Sequence, residues 1–209
     1  MTAVASPTTD FVHRFAPGAA PGATPLLLLH GTGGDETDLL PLGQMIAPGA
    51  ALLSPRGRVL ENGMPRFFRR LAEGVFDHED VVRRAHELAD FVSGAQARHG
   101  LPAPVAVGFS NGANIAAAMM LLRPEVLAGA VLIRAMVPLP DPPKADLSGR
   151  QVLILSGAMD PIVPEADAVR LAGQLSATGA EVTHEVLPAG HGLTQADVTL
   201  ARRWLADRR

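Results

Sequence analysis

The chain has 209 residues, is 47% hydrophobic and 19% charged, and carries a formal net charge of -3. With no block of like charges it offers no surface for nucleic acid or an anionic membrane, and its apolar runs are too short to span a bilayer. The absence of cysteine excludes disulfides, thiolate nucleophiles and cysteine-ligated metals; a small molecule is the expected partner, and a single domain over residues 1–209 is expected at this length.

Met1 to Asp10 is small, polar and proline-containing, and is expected to be a flexible N-terminal segment. It lacks an apolar stretch behind positive charge, so neither a signal peptide nor an anchor is expected, and the cytoplasm follows by elimination. Phe11 to Phe15 reads as an edge strand. After turn signals at Pro17-Gly18 and Pro21-Gly22, Leu26-Leu27-Leu28-Leu29 arrives without alternation, as expected of a parallel strand covered on both faces.

Gly31-Thr32-Gly33-Gly34 follows that strand, at the strand end where open α/β sheets place ligands. It lacks the third glycine of G-x-G-x-x-G and any G-K-[ST], so no nucleotide cofactor is expected. Its flexible backbone instead suits an N–H group, that of Thr32, turned toward a reacting carbonyl oxygen. Asp35 to Ile46 reads as a short helix with Leu39, Leu42, Met45 and Ile46 on one face. Ala51-Leu52-Leu53 is a second buried strand. Arg58 to Phe76 shows no clean period and mixes Phe67, Phe68 and Phe76 with Arg66, Arg69 and Arg70; an irregular stretch of this length reads as a functional loop. Asp77 to Arg98 is an amphipathic helix with Val81, Ala85, Leu88 and Val92 at helical spacing, stopped by Gly100.

Val105-Ala106-Val107 is a short buried strand, Gly108-Phe109-Ser110-Asn111-Gly112 fits G-x-S-x-G, and Ala113 to Leu122 reads as a buried helix. Strand, sharp turn and helix in that order make a nucleophile elbow, in which the glycines remove Cβ atoms where the turn folds on itself and the serine hydroxyl is pushed outward. Gly129 to Ile133 is the next strand, and Arg134 to Gly149 is a proline-rich loop on the same side. Gln151 to Leu155 is a strand ending at Ser156-Gly157-Ala158-Met159-Asp160-Pro161. Pro164 to Thr178 is a helix with Ala168, Leu171, Ala172 and Leu175 inward, Glu181 to Leu187 the last strand, and Pro188-Ala189-Gly190-His191-Gly192 a loop. Thr194 to Ala206 closes the chain as a helix, with Thr194-Gln195-Ala196-Asp197 as its capping signature. Alternation of strand and helix predicts an α/β fold, a mostly parallel central sheet with helices on both faces.

A serine hydroxyl is a poor nucleophile at neutral pH; it needs a base, and the base needs a group that fixes its tautomer and stabilises its charge. Ser110, Asp160 and His191 each come just after an expected strand and stand in the chain order serine, acid, histidine. Asp141 and Asp167 are rival acids, one in the proline-rich loop and one inside a helix. His13, His78, His86, His99 and His184 read as surface or satisfied polar groups. His78, Asp80 and His86 show no metal-ligand spacing, so no metal is expected. His30 reads as a support of the glycine turn through a hydrogen bond.

With these residues in place, the chain from about Leu26 onward resembles the α/β-hydrolase superfamily. Within it, Leu29-His30-Gly31-Thr32-Gly33-Gly34, Gly108-Phe109-Ser110-Asn111-Gly112, Gly157-Ala158-Met159-Asp160-Pro161 and Gly190-His191-Gly192 look like the small phospholipase/carboxylesterase group without a lid domain, itself similar to dienelactone hydrolases. Arg58 to Phe76 is similar to bacterial carboxylesterases associated with hydroquinone stress. The resemblance implies Ser110 as nucleophile, His191 as base then acid, Asp160 as its orienter, and the N–H groups of Thr32 and Asn111 as the oxyanion hole. It implies a serine carboxylesterase acting on small to medium carboxylic esters without a cofactor, with a homodimer as an open option. A thioesterase, a lysophospholipase, a lactone hydrolase, or a non-catalytic binding protein on the same scaffold are the alternatives.

One departure stands out: many relatives carry a small Ser-Gly-type turn after the strand ending at Ile133, and this chain carries Arg134-Ala135-Met136. Arg134 is read either as an anchor for substrate or as a partner of Glu61 or another acid that braces two loops. Met64, Phe67, Met136 and Met159 are the remaining candidates for substrate contact, with packing as their other reading.

Overall fold

The computed structural model describes residues 10–20 and 22–208; most of the N-terminal segment, and Pro21 of the second turn signal, lie outside them. The apolar runs form a seven-stranded sheet of β1 (His13–Ala16), β2 (Leu26–Leu29), β3 (Leu52–Pro55), β8 (Val105–Phe109), β9 (Gly129–Ile133), β10 (Gln151–Gly157) and β11 (Glu181–Leu187). Their order across the sheet is β1-β3-β2-β8-β9-β10-β11. Every neighbouring pair is parallel except β1 with β3, which is antiparallel at the edge. Leu26 to Leu29 are fully buried, as a strand with helices on both faces requires.

The helices divide between the faces. Against one face lie α2 (His78–His99), α3 (Asn111–Leu122) and α4 (Glu165–Ala177), whose apolar sides join a core with Leu27, Leu29, Ala106, Leu132 and Ile154. Against the other lie α1 (Leu40–Ile46) and α5 (Gln195–Asp207), packed on Leu26, Leu28, Val107, Val131 and Leu153. The alternation of partners along each strand follows from the period of two. Val81, Ala85, Leu88 and Val92 of α2 are all buried, and Gly100 closes that helix in the left-handed conformation, φ 63. Thr194 and Asp197 form the reciprocal cap expected of α5. Among the described residues no helix is long and apolar enough to cross a membrane.

Two stretches differ from expectation. The helix expected over 35–46 forms only from Leu40, because the side chain of Asp35 bonds the Thr37 N–H and hydroxyl in a local turn that competes with helical bonding. Met45 then points outward, 48% exposed, while Leu39, Leu42 and Ile46 are buried. The stretch 58–76 is not irregular: it holds two hairpins, β4 (Val59–Glu61) with β5 (Met64–Arg66), and β6 (Arg70–Ala72) with β7 (Val75–Phe76). Asn62-Gly63, at φ 51 and 81, is the turn that joins the first pair, and both angles are those a two-residue hairpin turn of this kind demands.

The elbow at the β8–α3 junction sets the tightest packing in the fold. A Cβ on Gly108 would lie 2.5 Å from Gly112 O, and one on Gly112 would run into the carbonyls of Leu29 and His30. Backbone atoms cannot swing aside as a side-chain tip can. Gly112→Ala is therefore expected to cost on the order of 1–3 kcal/mol, the range for overpacking a filled interior; a urea melt with the wild-type midpoint would contradict this.

Candidate active site

Four parallel strands deliver the site residues to one edge of the sheet. Ser110 follows β8 directly, with φ 50 and ψ -114, a region that costs a non-glycine residue about 1–3 kcal/mol and persists only when its surroundings enforce it. The Ser110 N–H donates to Ile133 O of β9 at 2.8 Å, which holds the turn against the neighbouring strand. His191, in the loop after β11, places Nε2 3.1 Å from Ser110 Oγ and Nδ1 2.9 Å from Asp160 Oδ2. Ser110, Asp160 and His191 are thus brought together in the order that the chemistry needs. Asp141 and Asp167 are not part of this chain of bonds; Asp167 faces Arg170 on α4.

The Asp160 side chain is fully buried. Burial alone would raise its carboxyl pKa, but the N–H groups of Val163 and Ile162, bonded to Oδ1 at 3.0 and 2.8 Å, together with His191, outweigh burial and hold it below the ordinary carboxylate range. One oxygen is thereby fixed by backbone, and the other is left for the imidazole.

Thr32 follows β2, the strand beside β8, and Asn111 follows Ser110 at the first position of α3. Neither main-chain N–H makes a hydrogen bond among the described residues. Both are held by the hairpin segment 64–67. Arg66 Nη1 donates to Thr32 Oγ1 at 2.8 Å, Gly33 N–H to Pro65 O at 3.0 Å, and Phe67 N–H to Asn111 Oδ1 at 2.7 Å. Arg66 is itself buried and also reaches Glu61 at 3.0 Å. Nothing in the residue pattern marked this segment as the brace of the glycine turn, because two of the three bonds use main-chain groups and all span more than thirty residues.

His30 has the supporting role expected of it. Nδ1 donates to Gly31 O at 2.6 Å, and Nε2 accepts the Gly57 N–H at 2.9 Å, so its partners define a neutral tautomer that ties the loop after β2 to the loop after β3. Burial pushes its pKa below the ordinary 6.5, more than the Gly31 carbonyl lifts it. Arg56 and Glu36 bond at 2.6 Å between the same two loops.

Among the residues considered for substrate contact, Met64 is 41% exposed beside Gly33, Met159 is 65% exposed next to Asp160, and Met136 is half-buried with its N–H bonded to Asn114 Oδ1 at 2.8 Å. Two others among them take the packing or bracing reading in place of substrate contact. Phe67 is buried, its ring 4.7 Å from that of His30, because the hairpin turns it inward under the glycine loop. Arg134 is also fully buried, and its partner is Asp197 at 2.8 Å. Arg134 thus takes the bracing reading with another acid than Glu61, which pairs with Arg66 and Arg70. Asp197 was legible only as a helix cap; its second role has no sequence signature.

The other histidines are placed away from this chemistry. His13 bonds Phe11 O, His99 stacks on Phe15, and His184 bonds Ser156. Asp80 spends its carboxylate on the Arg69 N–H and on Arg83 and Arg84. Cavities of about 290 and 520 Å³ lie at the opposite edge of the sheet, lined by Leu26, Ile46 and Leu205 and by Phe15, His99 and Leu101; neither touches Ser110.

Comparison with known proteins identifies the family and the fold. The model of the phospholipase/carboxylesterase family matches residues 14–207. MhqD of Bacillus subtilis, a protein named as a hydrolase, is 48% identical over 181 residues, covering 86% of this chain and 90% of that protein. The crystal structure of a Bacillus cereus carboxylesterase superposes with a TM-score of 0.93 at 44% identity, over 97% of this chain and 96% of that one. A carboxylesterase from Mesorhizobium loti gives 0.90 at 36% identity, over 94% and 95%. The fold is accordingly that of the α/β hydrolases.

The His30 geometry carries a pH dependence. Its folded pKa is lowered, so the unfolded chain takes up the proton first as pH falls below about 6.5, and the stability present above that value is lost on acidification. His30→Gln, which keeps a donor and an acceptor without titrating there, is expected to show a smaller drop in Tm between pH 7.5 and 5.5 than the wild type. An equal drop in both proteins would contradict this.

Proposed function

The chain belongs to the phospholipase/carboxylesterase family, and from that premise we propose that it is a serine carboxylesterase working through Ser110, His191 and Asp160. The observation that carries this reading is the continuous chain of bonds from Ser110 Oγ through the imidazole to the buried Asp160 carboxylate, at 3.1 and 2.9 Å. In this reading His191 takes the Ser110 proton as the hydroxyl attacks an ester carbonyl, and the carbonyl oxygen becomes an anion. The Thr32 and Asn111 N–H groups donate to that oxyanion, each contributing about 3 kcal/mol to barrier lowering. His191 then gives its proton to the leaving alcohol, and the acyl group stays on Ser110. Water, deprotonated by the same imidazole, attacks the acyl-enzyme, and the acid leaves as the Ser110 hydroxyl is restored.

The substrate class proposed is small to medium esters with an apolar acyl or aryl portion. Met64, Met159 and Leu193, each more than two-fifths exposed, flank Gly33, Asp160 and His191 in sequence or space and offer apolar surface. A binding protein without chemistry would gain nothing from holding a serine at φ 50 against an imidazole.

Ser110→Ala is expected to abolish hydrolysis of p-nitrophenyl esters and labelling by a fluorophosphonate, with the melting temperature nearly unchanged; turnover at the wild-type rate in that variant removes the assignment. Asp160→Asn is expected to lower kcat on the order of 10⁴-fold, by analogy with triads in which the imidazole loses its orienting carboxylate. A parallel rate screen over aryl esters, alkyl esters, lactones and thioesters checks the class, and a preference for thioesters would redirect it.

A further inference from the structure

The segment that carries His191 is held in an unusual way. Among the described residues, the main chain from Gly190 to Leu193 makes no backbone–backbone hydrogen bond. Its glycines are not wedged by packing: a Cβ on Gly192 would meet nothing within 4 Å, and one on Gly190 only Met159 O at 3.7 Å. Two of its carbonyls go to one side chain. Arg134 Nε donates to Gly190 O at 2.9 Å and Nη2 to Gly192 O at 3.3 Å, one bond on each side of His191.

The other guanidinium hydrogens are equally committed. Nη1 reaches Leu155 O at 3.1 Å and Asp197 Oδ1 at 2.8 Å, and Nη2 reaches Asp197 Oδ2 at 3.0 Å. All five donors of the planar fork are thus occupied, and both charged side chains are fully buried. Asp197 is fixed in turn by the Thr194 N–H and hydroxyl, each at 2.8 Å, at the start of α5. Arg134 stands at φ 57, a conformation that residues with a Cβ avoid, immediately after Ile133, whose carbonyl holds the Ser110 N–H. Its own N–H bonds Leu155 O at 2.9 Å. The two residues 133 and 134 therefore touch the nucleophile's turn with one carbonyl and the base's loop with one side chain.

A buried ion pair is weak evidence for stability, since apolar residues of similar volume serve as well or better. Geometry is what this pair supplies. We propose that Arg134, held in place by Asp197, is a positioning residue for the general base, setting the 190–192 backbone so that His191 Nε2 faces Ser110 Oγ. The proposal rests on the serine-esterase reading of the site. An error of about 1 Å in the placement of reacting groups costs on the order of 10²-fold in rate, so the anchor acts on kcat through the imidazole without touching substrate.

Arg134→Met alone strands a buried carboxylate, so the deciding variant is Arg134→Met with Asp197→Leu, which removes both charges and keeps apolar volume. It is expected to melt cooperatively, with kcat lowered about 10²-fold, KM nearly unchanged, and fluorophosphonate incorporation at Ser110 slowed to match. Wild-type kcat in the folded double variant overturns the proposal while leaving the esterase reading intact, whereas a wild-type protein inert toward every ester removes that reading first. Arg134→Lys, which keeps the charge opposite Asp197 but not the fork, is expected to fold with reduced kcat, and wild-type kcat there also overturns it. A crystal structure of the double variant decides independently of turnover: a shifted loop with His191 out of reach of Ser110 supports the anchor, and an unmoved loop overturns it.

Discussion

The backbone of Ser110, at φ 50 and ψ -114, is the constraint on which the rest of the site depends. It turns the chain from a central strand into a buried helix within one residue, so the hydroxyl stands clear of both. The conformation is unfavourable for serine, and three features enforce it: the missing Cβ atoms of Gly108 and Gly112, the bond from the Ser110 N–H to Ile133 O, and the burial of α3 from Asn111 to Leu121. Because β8 lies between β2 and β9, the glycine turn at Thr32 and the β9 end at Arg134 fall on either side of the hydroxyl without further adjustment.

Parallel strands leave their loops at one edge with few main-chain partners, and this protein answers with buried polar side chains that bond to backbone. His30 ties the loop after β2 to the loop after β3, Arg66 and the adjacent main chain tie the first hairpin to the glycine turn, and Arg134 ties β9 and β10 to the loop after β11. Each is almost fully buried, and each holds two or more loops at once. A polar group in such a place is costly when unpaired, so each of these residues resists loop drift in a way that apolar packing, which is not directional, does not.

Much of this was legible in the chain. Uninterrupted apolar runs such as Leu26 to Leu29 announce strands covered on both faces, Gly108 to Gly112 announces the elbow, and the strand-end positions of Asp160 and His191 single them out from their rivals. What escaped has a common cause. Asn62-Gly63 was visible as a turn signal, but three-residue strands are too short to show a period, so the hairpins read as irregular. Phe67 and Arg134 look like pocket residues by type, and only the folded chain shows that one turns beneath the glycine loop and the other meets Asp197 sixty-three residues away. Asp35 delays the start of α1 through a side-chain bond that competes locally with the helix.

The first hairpin has a consequence for anyone wishing to change which esters are accepted. Leu60 and Met64 are exposed, whereas Glu61 pairs with buried Arg66, and Pro65, Arg66 and Phe67 support both proposed oxyanion donors. Grafting a whole hairpin from a relative would alter recognition and catalytic power together. Varying exposed Leu60 and Met64 while retaining Glu61, the Asn62-Gly63 turn and the base should uncouple the two, making those positions the natural place to begin a specificity library.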